Sequence, residues 1–246
     1  MKKTILLTTL AALLVSQAGA QSCMANVKKS GLTVGTSPDY PPYESLNDRN
    51  EIVGFDIDLM NAIGKKMGMK VKVVGQGFDG LIPALISKKI DVIAAGMTVT
   101  AERKKAVNFT LPYDNSANVI MARKENLKYG TAASLAGRNV GSQIGTVQEQ
   151  IVQGIKGASS KAFNLYTDAA VALQTRQIDA MVVDKTVADQ FLKTYPDLRI
   201  TGTLARNAKA MAVRKDCGDV VNRMNAAIIE MRKSGELAAL TKKWLK

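Results

Sequence analysis

Apolar positions along this chain follow two periods in turn. Short β-branched runs at 32–35, 71–74, 91–95, 118–121, 139–141, 180–183 and 210–213 predict strands. Between them apolar residues recur every three or four positions, as at Ile57, Met60, Ile63 and Met67, at Leu81, Ala84 and Leu85, and at Ala169 and Leu173, which predicts helices. Strands alternating with helices imply βαβ units and a mostly parallel sheet. The pattern occurs twice. The first set ends near Pro112-Tyr113, an extended segment covers 115–124, a second set starts at Asn139, and a second extended segment covers 199–213. The expected fold class is therefore α/β, with two lobes joined by two strand-like crossings. The limits are 21–115 for the first part of lobe one, 116–204 for lobe two and 205–246 for the return to lobe one. Little Pro or Gly occurs in the crossings, so they read as hinges. The cleft between the lobes, at the carboxyl ends of the strands, is where open α/β sheets bind ligands. The stretch 219–245 reads as helix with a break at Ser234-Gly235.

Residues 1–20 break this pattern. Lys2-Lys3, an apolar run from Ile5 to Val15 and Ala18-Gly19-Ala20 form a secretory signal too short to span a bilayer as a helix. A periplasmic protein is expected. The two cysteines, Cys23 and Cys217, then read as a disulfide in an oxidising compartment. A free or lipid-anchored Cys23 is the alternative, although Gln21 fits a lipidation signal poorly. The chain has no His, which removes Ser-His-Asp and Cys-His catalysis and nearly every common zinc or non-haem iron site. Two cysteines cannot complete an all-cysteine metal site either, so no metal and no cofactor are expected. The formal charge of +13 raises the question of nucleic acid. Its lysines come in pairs such as Lys65-Lys66, Lys88-Lys89 and Lys104-Lys105 on amphipathic helices, without a basic block, and read as solvated faces.

No dinucleotide fingerprint, phosphate-binding loop, nucleophile elbow, EF-hand loop or HExxH motif is present. Polar residues at strand ends remain. After the run 91–95 come Gly96-Met97-Thr98-Val99-Thr100, with Thr100 placed to cap a helix and Arg103 in its first turn. An Arg there is unfavourable with the helix dipole. It reads either as part of a carboxylate receptor with backbone amides and a Thr hydroxyl, or as a surface residue paired with Glu102. Gln143-Ile144-Gly145-Thr146-Val147 opens a helix in the second lobe, either as a second anion donor or as a plain Thr cap. Asp184 ends a strand, as a helix cap or as a partner for an ammonium group. The loop 35–44, GTSPDYPPYE, is stiffened by three prolines and presents Tyr40, Tyr43 and Glu44. Phe78 follows the next strand. Each of these serves a ligand or packs locally.

The segments GTSPDYPPYE (35–44), GFDIDL (54–59), FDGLIPAL (78–85), DVIAAGMTVTAERKKAVNFTLPY (91–113), QIGT (143–146), IDAMVVD (178–184) and KKWL (242–245) together resemble the periplasmic polar amino-acid-binding proteins of ABC importers, solute-binding protein family 3. The resemblance implies a type II periplasmic-binding-protein fold that closes on an L-amino acid and delivers it to permease subunits, a monomer, and no enzymatic activity. It implies that Arg103, Thr98 and the backbone of Gly96 hold the α-carboxylate, helped by Thr146 and the Val147 amide, with Met97 and Gln143 also among the ligand-binding residues. Asp184 then takes the α-ammonium, and Phe78 and Tyr40 sandwich the side chain. Some basic-amino-acid binders carry an Asp where this chain has Ser37. Glu44 beside aromatic faces suggests a cationic side chain, arginine ahead of lysine. The same fold also resembles periplasmic cyclohexadienyl dehydratases, which act on arogenate or prephenate, as the alternative function.

Overall fold

The computed structural model describes residues 22–246, and the leader expected over 1–20 lies outside them. In chain order, α1 (Cys23–Ser30) leads into β1 (Leu32–Thr36), and β2 (Asp39–Tyr40), β3 (Glu44–Leu46) and β4 (Ile52–Val53) follow. Then come α2 (Phe55–Met67), β5 (Val71–Gly75), α3 (Leu81–Ile86), β6 (Val92–Ile93), α4 (Ala101–Ala106) and β7 (Val107–Phe109). The chain crosses on β8 (Asp114–Arg123) and continues through β9 (Asn139–Gln143), α5 (Val147–Gln153), β10 (Ser159–Phe163), α6 (Tyr166–Gln174), β11 (Ala180–Asp184) and α7 (Lys185–Thr194). It returns on β12 (Leu198–Lys209) to β13 (Ala212–Arg214), α8 (Gly218–Ser234) and α9 (Glu236–Trp244).

Two five-stranded sheets result, one in each lobe, ordered β5-β1-β6-β13-β7 and β10-β9-β11-β8-β12. They are mixed, whereas the sequence pattern implies mostly parallel pairing. β1 runs parallel to β5 and β6, and β9 parallel to β10 and β11, as βαβ units require. β13 and β8 run antiparallel to their neighbours. The physical reason is the crossing itself: a strand entering from the other lobe needs no crossover helix and can arrive in either direction. β8 and β12 pair along nearly their whole length, from Arg123 with Leu198 to Asp114 with Lys209, and so tie the two lobes together as a twisted ribbon. The sequence reading missed β2, β3, β4, β7 and β10, which are short or mostly polar and carry no long apolar run.

Burial follows the periods in the sequence. α2 buries Phe55, Leu59, Met60 and Ile63, and α8 buries Met224, Ile228 and Met231 in the same core. β11 is buried on both faces: Met181 and Val183 join that core, while Ala180 and Val182 join a separate cluster with Ile120, Val140 and Val152. This is why its sequence is a continuous apolar run without alternation. The break at Ser234-Gly235 is real, because Gly235 turns left-handed at φ 80° between α8 and α9.

Cys23 and Cys217 form a disulfide with their Cα atoms 5.3 Å apart, closing a sequence separation of 194. The Met24 amide donates to Asp219 at 3.0 Å and docks α1 on the start of α8. A bridge of this span is worth about 2–5 kcal/mol. Reduction, or Cys23→Ser, is expected to lower the melting temperature by several degrees without altering the circular-dichroism spectrum, and identical melts with and without reductant would refute that role. Among the described residues no helix is long and apolar enough to cross a membrane.

Candidate functional site

A tight cavity of about 10 Å³ lies between the ends of the two sheets, where open α/β sheets bind ligands. The structure brings Ser37, Tyr40, Glu44, Phe78, Gly96, Thr98, Arg103, Gln143, Thr146 and Val147 to its wall, from both lobes. Met97 and Asp184, also singled out from sequence, do not reach it. Met97 is fully buried in the cluster of Leu81, Leu85 and Ile93. Asp184 is buried behind the wall, where its carboxylate meets the Lys209 ammonium at 2.8 Å and accepts from the Ser116 hydroxyl and the Thr186 amide.

Arg103 is the cationic group of the wall. Thr100 caps α4 by accepting from the Arg103 amide at 3.1 Å, which places the side chain over the cleft. Its guanidinium donates to the Thr98 carbonyl at 2.8 Å and, across the cleft, to the Gly145 carbonyl at 3.1 Å. Its guanidinium carbon lies over the Phe78 ring, 5.3 Å from the centroid, so part of the aromatic face expected to cover a ligand side chain is taken by Arg103. Burial lowers the guanidinium pKa to about 10, which leaves it charged at neutral pH. Two of its five N–H donors are used, and the remaining edge is free for an anion.

Glu44 is the anionic group. It begins β3, is wholly buried, and neither carboxylate oxygen has a hydrogen-bond partner. Burial raises its pKa well above the usual range, the nearby Asp56 and Asp39 carboxylates raise it further, and Lys209 opposes them. An unpaired buried carboxylate costs several kcal/mol unless it is protonated or meets a cation. Tyr40 stacks on Tyr43 at 5.7 Å and meets Tyr166 at 5.2 Å, forming an aromatic floor beside Glu44.

Several expected ligand contacts are engaged within the protein. The Gly96 amide donates to Asp56 at 2.8 Å and its carbonyl accepts from Lys209 at 3.1 Å. Gly96 thus lines the cavity with its Cα, at φ 52°, and a Cβ there would lie 2.9 Å from the Tyr40 ring, so only glycine fits. Ser37 donates to Asp39 at 2.8 Å, and Gln143 donates to the same carboxylate at 3.0 Å. The Tyr166 amide adds a third bond at 2.7 Å, so Asp39 of lobe one caps α6 of lobe two. Thr146 caps α5, accepting from the Glu149 amide and donating to the Gln143 carbonyl at 2.6 Å.

The sequence reading missed Tyr166, Gln148, Asp39 and Lys209. Tyr166 lines the cavity with its hydroxyl unpartnered, and Gln148 lines it while donating to Asn118 at 2.7 Å. Nothing local separates Tyr166 from a core tyrosine. Asp39 lies inside the 35–44 segment, and its position among prolines was the available signal.

The profile of the bacterial extracellular solute-binding proteins, family 3, matches residues 32–246. The ABC transporter arginine-binding protein 1 of Escherichia coli (strain K12) is 31% identical, over 99% of this chain and 99% of its own length. A probable histidine-binding protein of Campylobacter jejuni is 37% identical, over 87% of this chain and 84% of its own. The arginine-bound form of truncated ArgBP from T. maritima superposes with a TM-score of 0.82 at 40% identity, covering 84% of this chain and 99% of that one.

Proposed function

This chain belongs to the bacterial extracellular solute-binding proteins of family 3 and binds an amino acid for an ABC transporter, and from that premise we propose that its ligand is a cationic L-amino acid, arginine ahead of lysine, captured in the periplasm by hinge closure and passed to the permease. The observation that carries this reading is Glu44: a fully buried carboxylate with both oxygens unpaired, facing the same cavity as the Arg103 guanidinium. An amino acid with a cationic end answers both charges at once, its carboxylate on Arg103, Thr98, Thr146 and the Val147 amide, its cation between Glu44 and Tyr40. Guanidinium stacks on aromatic rings and donates two parallel bonds to a carboxylate, and an ammonium does each less well. Groups from both lobes contact such a ligand, so it binds the closed form better than the open one, which is what drives closure. Asp39 and Arg103, each bonded across the cleft, hold that closed form once reached. Engagement of Cys23 in the disulfide suits the oxidising periplasm. The dehydratase reading is weaker, because the relatives are named for binding.

Arginine is expected to raise the melting temperature of ligand-stripped protein by several degrees at a thousandfold excess over Kd, where binding to the native state alone contributes about 4 kcal/mol. Glu44→Gln is expected to erode this shift more than that for any neutral amino acid. Binding should also depend on pH with a definite sign. Burial holds the Glu44 carboxyl protonated in the empty cleft above its ordinary range, a bound cation favours the ionised form, and so binding releases a proton. Arginine affinity is expected to rise with pH through the raised Glu44 pKa and then level off, and to lose that dependence in Glu44→Gln. Glutamine shifting the wild type more than arginine would overturn the cationic pocket.

A further inference from the structure

The place that the family resemblance assigns to the ligand's α-ammonium is filled by a side chain of the protein. Lys209 ends β12 and is 1% exposed. Its ammonium lies 2.8 Å from Asp184 and donates to the Gly96 carbonyl at 3.1 Å, over the rings of Tyr43 at 4.9 Å and Tyr40 at 5.4 Å. A carboxylate, a carbonyl and two aromatic faces are a complete receptor for an ammonium ion. The other carboxylate oxygen of Asp184 is occupied by Ser116 and Thr186. Neither Asp184 nor Lys209 borders the cavity, whose wall offers only Arg103 and Glu44 as charged groups.

We propose that Lys209 is an internal stand-in for the ligand's α-ammonium, so that the cleft reads its ligand by the carboxylate and the far end of the side chain and does not select for an α-amino group. This inference rests on the amino-acid reading of the same cavity and adds its specificity. A ligand ammonium could reach Asp184 only by expelling the Lys209 ammonium. That exchanges one cation for another on the same carboxylate and leaves Lys209 buried without a partner. The tethered lysine also competes at a high effective concentration, because it is part of the chain. An open Asp184 would behave differently: a ligand lacking the amino group would leave it buried and unpaired, and a site built for a polar group rejects the analogue lacking it by large factors.

Calorimetry of ligand-stripped wild type decides this with two matched pairs: L-arginine with 5-guanidinopentanoate, which is arginine without its α-amino group, and L-glutamine with 4-carbamoylbutanoate. Within whichever pair binds, the two Kd values are expected to agree within about tenfold. Lys209→Met, which opens Asp184, is expected to shift the ratio toward the amino acid by about a hundredfold or more. A wild-type preference for the amino acid beyond about tenfold, or a ratio unchanged in folded Lys209→Met, would overturn the proposal. If Lys209→Met does not fold, the wild-type ratio decides alone. Binding of the glutamine pair in place of the arginine pair would sink the cationic pocket while the ratio still judges Lys209, and binding of neither pair would overturn both.

Discussion

Arg103→Ala is expected to weaken arginine binding by about two to three orders of magnitude while the empty protein melts close to the wild type. The guanidinium is the cation at the cavity wall, and its free edge is the one group there able to give a carboxylate two parallel charge-assisted bonds. Its contacts are the carbonyls of Thr98 and Gly145 and the ring of Phe78, and it sits in the first turn of a six-residue helix with no buried residues, so little of the core depends on it. Arg103→Lys should recover only part of the loss, since an ammonium keeps the charge but not the fork geometry. Calorimetry giving near-native affinity for Arg103→Ala would remove the carboxylate clamp from the account.

Asp184→Ala is expected to destabilise the fold itself, by about 3–5 kcal/mol, or a drop in melting temperature on the order of 10 °C. Read from sequence, this substitution is one that spoils ligand binding in an intact protein. The structure changes its meaning, because removing Asp184 leaves the Lys209 ammonium buried with only a carbonyl and two ring faces. Adding Lys209→Met to Asp184→Ala removes the orphaned charge along with its partner and should restore much of the stability. Thermal melts of the two single variants and the double variant form a cycle, and strictly additive losses would show that the pair is not coupled.

The candidate site was unevenly legible, and the residues show why. Arg103, Thr98, Glu44, Phe78 and Thr146 sit beside strand ends and helix caps, local features that leave a mark within a few residues. Met97 carries the same local mark, yet it faces the core, because the chain turns at Gly96, where φ is 52°, and packs Met97 against Leu81, Leu85 and Ile93. Asp39 became a clasp between lobes through bonds to Gln143 and Tyr166, contacts that no local pattern encodes. Lys209 was hidden most completely. It stands 113 positions from Gly96, at the end of a strand of mostly half-buried and exposed residues, in a chain whose lysines otherwise read as solvated faces.

Sequence alone determined the α/β class, the two-fold repetition of strand and helix and the helix break at Gly235, and the family resemblance pointed to many of the residues that line the cavity. The elements follow from short-range causes: periodic burial, caps and a left-handed turn. Only the tertiary structure decided the direction of the crossing strands, the partner of Asp184 and the isolation of Glu44. Each of those depends on which distant groups are excluded from water together, and the energy of a buried charge is set by its neighbours in space.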